Sequence, residues 1–259
     1  MPDPVISSRE RNVARVKLNR PEVRNALDTA AIATLTQLFL DFARDDTLRA
    51  VVLEGEGAIF CGGADIRYMR ASLELSEQQN FEDALRLSDM FAAIDACPCP
   101  TIAKVQGAAL GGGVGLIAVC DIVVAEEDAL FGFTEAKLGI VPAVISPFVL
   151  RKIGQSHARA LFSTAERFNA GRAKAIGLVH EVVAPGQLDA IAQAKLTELL
   201  TSGPTAARLA KLVARTVGSK DADEAREWTA ERTASQRTSA EGQEGLRAFL
   251  DKRKAAWQD

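Results

Sequence analysis

Along the first two thirds of the chain, apolar residues fall into short runs that alternate with helical stripes. VARVKLN (13–19) has the apolar–polar alternation of a half-buried strand and ends at Arg20-Pro21. Over 27–43 the apolar positions recur at helical spacing, with Ile32, Leu35, Leu38 and Phe39 on one stripe and Asp28 placed as an N-cap. AVVLEG (50–55) reads as a buried strand closed by glycine, so the chain opens β-α-β.

The alternation continues. Segment 76–96 is helical by pattern, with Phe81, Leu85, Leu87, Met90, Phe91 and Ile94 apolar. Cys97-Pro98-Cys99-Pro100 stops it, because proline removes a backbone donor and clashes with the preceding turn. TIAKVQGA (101–108), DIVVAEE (121–127), ALFGF (129–133) and LVHEVV (178–183) read as further strands. Segment 169–177 reads as a short helix with Asn169 as N-cap and Gly177 past its end. From about 187 the chain is rich in Ala, Glu, Lys and Arg at helical spacing, broken at Gly203-Pro204 and Gly218. The pattern predicts an α/β core over 1–190 and a helical region over 191–259. In 223–257 the apolar anchors are sparse: Trp228, Leu246, Phe249 and Leu250 form a stripe that suits packing on its own core or on another subunit.

Composition narrows the function. A chain of 259 residues can bury a sizeable core without disulfides or metals. The net charge is −3 and Lys and Arg are scattered, so no field is expected to hold nucleic acid or an anionic bilayer. The start MPDPVISSRERNVARV has no apolar signal segment, and no stretch approaches the ~20 apolar residues of a membrane span. A cytoplasmic protein is expected. Cys61, Cys97, Cys99 and Cys120 make no C-x-x-C pair, and His157 and His180 lie far apart, so neither a metal site nor thiol redox chemistry is expected.

Glycine concentrates where chemistry is plausible. In AALGGGVGLIAVCD (108–121), Gly113 to Ala118 fits the loose dinucleotide pattern G-x-G-x-x-A. Only about eight positions separate Gly112 from Asp121, short of the ~10–12 that a β-α-β crossover needs. There is no Walker A pattern and no G-x-S-x-G. What remains is a pair of strand-to-turn glycine sites of similar grammar: IFCGGADI (59–66) after AVVLEG, and ALGGGVGL (109–116) after TIAKV. Each can point a backbone N–H outward at a helix start, and two such donors converging on one point make an oxyanion hole. The alternative is that the glycines serve only close packing of strand on helix. Glu135 precedes LGIVPAVISPFVL (138–150), thirteen residues without a charge, so its carboxylate can face an apolar wall that raises its pKa. The alternative there is an acidic residue that stabilises a helix start after Thr134.

FCGGADI (60–66), AALGGGVGLIAVCDI (108–122), FGFTEAKLGIVP (131–142) and AERFNAGRAKAIGLVHEVV (165–183) resemble, in order, the signatures of the crotonase (enoyl-CoA hydratase/isomerase) superfamily. The resemblance runs from residue 13 to the C-terminus. It implies the α/β ClpP/crotonase-like spiral of ββα units, with a C-terminal helical trimerisation region that makes a homo-trimer or dimer of trimers. It implies a coenzyme A thioester, itself the substrate, held against the N–H groups of Ala64 and Gly112 as it becomes an enolate, with no separate cofactor. By the same resemblance Arg24 and Ala26 lie near the pantetheine and phosphates, and the backbone of Gly62 to Ile66, Asp65 included, lies near the adenine. Phe249 and Lys252 lie near the nucleotide, from a neighbouring subunit.

Typical hydratases of the superfamily carry two glutamates. The second falls on Glu135; the first, three residues after the oxyanion glycine, is Gly115 here. One glutamate serves two reactions. It can protonate Cα while water adds at Cβ, or it can shuttle a proton between C2 and C4 in a Δ3-Δ2 isomerase. A non-catalytic acyl-CoA-binding or RNA-binding member is a third alternative. GIVPAVISPFVLRKIG (139–154) together with GGGVGL is similar to the branched-chain hydratases of leucine and acyclic-terpenoid breakdown, the methylglutaconyl-CoA type. Such a substrate has a distal carboxylate that wants a cation, for which Arg67, Arg70, Arg151 and Lys152 are candidates. The expected activity is reversible hydration of a branched 2-enoyl-CoA.

Overall fold

The computed structural model describes residues 3–258. A six-stranded sheet carries β1 (Val5–Glu10), β2 (Val13–Leu18), β3 (Ala50–Gly55), β4 (Thr101–Val105), β6 (Ile122–Glu126) and β9 (Glu181–Val183), in that spatial order. β1 and β2 are antiparallel and every later pair is parallel. A second sheet holds β5 (Ala108–Leu110), β7 (Leu130–Gly132) and β8 (Arg167–Asn169). The helices of the core are α1 (Thr29–Ala43), α2 (Ile66–Ser72), α3 (Glu77–Ala96), α4 (Gly112–Ala118), α5 (Ser146–Thr164), α6 (Ala170–Ala175) and α7 (Leu188–Thr201). They are followed by α8 (Pro204–Thr216), α9 (Ala222–Thr238) and α10 (Ala240–Leu250).

Local signals set several boundaries. The Asp28 carboxylate accepts from the Ala31 amide at 2.8 Å, and the Asn169 side chain accepts from the Arg172 amide at 2.9 Å, each satisfying a first-turn donor. Ser76 and Gln79 close a capping box at the start of α3. The Ile32, Leu35 and Phe39 stripe is buried, and Phe60, Phe91, Phe131 and Phe133 are fully enclosed in the same core. Leu196 of α7 packs with Val13, Val52 and Ile102, and Leu188 and Ala192 pack with Val124. This helix therefore covers the outer face of the large sheet, although its composition groups it with the C-terminal helices.

One expectation needs correcting, and two elements went unread. The apolar positions of α3 do not form one buried face: Met90, Phe91 and Ile94 are enclosed, while Phe81 and Leu85 are 57% and 46% exposed. β1 has a single buried residue, Val5, so its pattern carries no alternation to read. α5 is broken at Gly154, φ 69°, and carries Pro147 in its first turn, so 146–164 shows no continuous helical pattern.

The path of the chain repeats. β4 in the large sheet leads to β5 in the small one and then α4; β6 leads to β7 and then a 3₁₀ turn, Glu135–Leu138. The chain after β3 does the same in outline: Cys61 bridges Ala109 in parallel and α2 follows. Phe131 pairs with Ala109 on the other side. Cys61, Ala109 and Phe131 thus form one row across three adjacent parallel segments, and this row positions the site.

Candidate functional site

Ala64 lies three residues beyond Cys61, Gly112 three beyond Ala109, and Glu135 four beyond Phe131. Because the row is in register, these three residues leave adjacent segments at the same level and line one cavity of ≈ 300 Å³. Two glycines permit the turns. Gly63 has φ +101° with Leu110 O 3.0 Å from where a Cβ would stand, and Gly111 has φ +49°. Both are left-handed conformations that L side chains rarely adopt. The Leu27 amide donates to Gly63 O at 2.7 Å and the Asp65 amide donates to Leu27 O at 2.8 Å, which turns the intervening Ala64 amide the other way. Among the described residues neither the Ala64 nor the Gly112 N–H has an acceptor, so both are available to a ligand.

Glu135 stands beside them. Its Oε1 is 3.4 Å from the position of a Cβ on Gly111, the residue before Gly112, and its Oε2 is buried with no hydrogen-bond partner. Ile140, Val141, Pro142, Val144 and Ile145 line the same cavity. Burial pushes the Glu135 carboxyl above its ordinary value, against the opposing pull of a backbone hydrogen bond. The apolar segment after the glutamate thus supplies the wall that the sequence suggested.

The other sequence-predicted residues are placed as follows. Gly62 donates to Arg24 O at 2.8 Å, and Arg24 has φ 60°. Ala26 is buried and Ile66 is exposed. Asp65 is buried and committed: it caps α2 through the Arg67 amide at 2.7 Å and pairs with Arg20 at 2.7 Å, while Arg20 also donates to Ala26 O at 2.8 Å. Asp65 therefore stiffens the loop that bears Ala64. Phe249 and Lys252 are exposed on and just after α10 and line no part of this cavity.

Gly115 is set back from the cavity. A Cβ there would lie 2.5 Å from Ile145 Cγ2 and 2.8 Å from Phe91 Cε1 and Cζ. The position is closed by apolar side chains, and even a Cβ there would force Ile145 or the Phe91 ring to shift. None of Arg67, Arg70, Arg151 and Lys152 lines the cavity. Arg151 pairs with Asp95 at 3.0 Å, and the half-buried Lys152 donates to Cys120 O at 2.7 Å.

Sequence reasoning missed the side of the cavity built from α2 and α3: Tyr68, Met69 and Ser72 on one helix, Asn80, Asp83 and Leu87 on the other. The i, i+3, i+7 spacing of Asn80, Asp83 and Leu87 marks one helix face, but its mixed polarity disguised it. Asn25 was missed too. It is 2% exposed and bridges Glu56 O at 2.8 Å and Ile59 O at 2.7 Å, holding the loop that leads to Ala64.

The comparisons with known proteins agree with this architecture. The family model for enoyl-CoA hydratase/isomerase matches residues 8–259, and the chain belongs to that family. A crotonyl-CoA hydratase of Syntrophomonas wolfei is 33% identical over 253 residues, 97% of this chain and 96% of that protein. Among solved structures, an enoyl-CoA hydratase from Shewanella pealeana superposes with a TM-score of 0.93 at 37% identity, over 98% of this chain and 96% of that one. Pseudomonas aeruginosa AtuE superposes with a TM-score of 0.96 at 34% identity, over 99% of this chain and 100% of that one. The fold is the crotonase spiral, built here from the repeated large-sheet, small-sheet, helix turns.

Proposed function

We propose that this protein hydrates a 2-enoyl-CoA thioester reversibly, with Glu135 as the sole acid/base and the Ala64 and Gly112 amides as the oxyanion hole. The observation that carries the reading is a buried, partnerless carboxylate oxygen beside two amides that lack acceptors, in one apolar cavity. The thioester oxygen accepts from both N–H groups, and they bind more tightly as it gains enolate charge. Removing one such donor typically costs ~10²–10³-fold in rate. The protonated Glu135 delivers its proton to C2 while water adds at C3. The carboxylate then recovers a proton from the added water, so one water is consumed and the enzyme returns to its starting state. The raised carboxyl favours the protonated form over that of an ordinary glutamate, as a proton donor requires.

Coenzyme A contacts at Arg24, Ala26 and Gly62 to Ile66, with Phe249 and Lys252 supplied by a neighbouring subunit, belong to this proposal. So does assembly through the helices of 191–259 into a trimer or dimer of trimers. A branched acyl group fits the apolar wall of Ile140, Val141 and Ile145. The distal carboxylate of a methylglutaconyl group, by contrast, finds no Lys, Arg or His among the described lining residues.

Glu135→Gln tests the chemistry. Turnover of 2-enoyl-CoA substrates should fall by ~10²–10⁴-fold, the usual contribution of a general acid/base, while affinity for a saturated acyl-CoA stays within a factor of about three. Near-normal turnover in that variant removes the mechanism. One observation favours a second reading: Gly115 leaves no carboxylate on the far side of the substrate to activate water. A Δ3-Δ2 isomerase needs only the proton shuttle that Glu135 can perform. Incubation of 2-enoyl and 3-enoyl thioesters in isotopic water separates the two, since only hydration gives a 3-hydroxyacyl product.

A further inference from the structure

The polar end of the cavity has a chemical bias that the reaction does not use. It is formed by Tyr68 and Ser72 of α2 and by Asn80 and Asp83 of α3. Tyr68 stands in the first turn of α2, four residues beyond Ala64, and lines the same cavity as Ala64, at the end where a short acyl chain would extend. Each donor of these side chains is already spent. The Tyr68 hydroxyl donates to Asp83 Oδ2, the Ser72 hydroxyl to Met69 O at 2.8 Å, and Asn80 Nδ2 to Ser72 O and Leu75 O, each at 3.2 Å. What these cavity-lining side chains have left to offer is acceptors: the Tyr68 oxygen, the remaining lone pairs of Asp83, Asn80 Oδ1 and Ser72 Oγ.

The charge has the same sign. Asp83 is 15% exposed at its side chain and shares the cavity with Glu135, and no cation lines it among the described residues. Its one ionic partner is Arg86 at 3.0 Å, which is 56% exposed and stands outside the cavity, where water screens it. Burial and the Asp83 carboxylate together push the Tyr68 hydroxyl above its ordinary value, which keeps its proton in the bond to Asp83. An acyl chain ending in a carboxylate would bring a second anion beside Asp83, and further lone pairs, to side chains whose donors are spent. A hydroxyl on the chain would supply the missing donor.

We propose that Tyr68 and Asp83 form the acyl-end subsite, which favours a neutral 2-enoyl thioester with a hydroxyl on its acyl chain and turns away one that ends in a carboxylate. This rests on the acyl-thioester reading of the cavity, and the test separates the two. Calorimetry on the whole enzyme compares three saturated five-carbon thioesters, pentanoyl-, 5-hydroxypentanoyl- and glutaryl-CoA, which differ only at the chain end and cannot be hydrated. The hydroxylated thioester should bind tightest and glutaryl-CoA at least about tenfold more weakly, the order expected when a buried group loses a hydrogen bond to a charged partner. Asp83→Asn should bring glutaryl-CoA to within about threefold of the hydroxylated ligand. Tyr68→Phe should cut the preference for hydroxylated over plain pentanoyl severalfold. A purely structural clamp between α2 and α3 would lower stability and leave these ratios unmoved. Equal binding of glutaryl-CoA and the hydroxylated ligand by wild-type protein overturns the proposal, even if Asp83→Asn does not fold. The matching 2-enoyl thioesters are then assayed for turnover. Discrimination in binding with no conversion would sink the hydratase reading and leave the subsite standing; conversion without discrimination would do the reverse.

Discussion

Restoring the missing glutamate with Gly115→Glu should damage the protein instead of improving it. A Cβ at this position lies 2.5 Å from Ile145 Cγ2 and 2.8 Å from two carbons of the Phe91 ring, all of them buried. Forcing extra atoms into a packed core costs ~1–3 kcal/mol, and a buried carboxylate without a partner adds ~1–3 kcal/mol or more. The sum is roughly 2–6 kcal/mol, which for a chain of this size lowers Tm by about 5–20 °C. Differential scanning calorimetry measures the loss, and a hydration assay should show no gain in rate. Phe91→Ala alone should cost ~3–5 kcal/mol, as large-to-small core changes do. In the double variant the new side chain can enter the space vacated by the ring, so the two costs should combine to at least ~1 kcal/mol less than their sum. Additivity within ~0.5 kcal/mol would show that the two positions do not share space. A Gly115→Glu protein with the wild-type Tm would refute the packing argument outright.

Much of the fold was legible because its helices announce their ends. Asp28 and Asn169 cap as their side chains suggest, and the strand AVVLEG is β3 residue for residue. The elements that escaped notice carry little pattern: β1 buries one side chain, β8 has three residues, and α5 is crossed by Pro147 and Gly154. The glycine sites and Glu135 were legible for a different reason. Backbone chemistry demands particular residues there, and the positive φ values of Gly63 and Gly111 show why. The subsite of Tyr68 and Asp83 was not legible. It depends on two helices meeting across a cavity, and no local spacing encodes that meeting. Gly115 lies between these cases. Sequence showed that a carboxylate was missing, but only the packing of Phe91 and Ile145 shows that the space for one is gone.

Two further outcomes bear on assembly and on charge. Leu246, Phe249 and Leu250 are 48%, 80% and 75% exposed on α10, so Phe249→Asp with Leu250→Asp should shift an assembled wild-type protein toward monomer in analytical ultracentrifugation. A wild-type protein already monomeric at tens of micromolar would remove the oligomer proposal. Glu135→Gln should also make the folded protein more stable near neutral pH, which is the reverse of its effect on turnover. Burial raises the Glu135 carboxyl in the folded state, so folding disfavours the ionised form. That cost is present in full above the folded pKa, shrinks as pH falls through it, and vanishes below the unfolded value of about 4.3. The variant carries no such charge, so its Tm should exceed that of wild type at a pH of about 8 and converge on it at about 4. On the proposed mechanism, catalysis and stability pull against each other at this residue, because a partnerless, buried oxygen suited to an acid is also a poor place to hold a charge. Thermal melts of the two proteins across this range measure the gap. A variant less stable than wild type at neutral pH would mean that Glu135 is held by interactions that offset its burial, and the acid/base argument would lose its electrostatic basis.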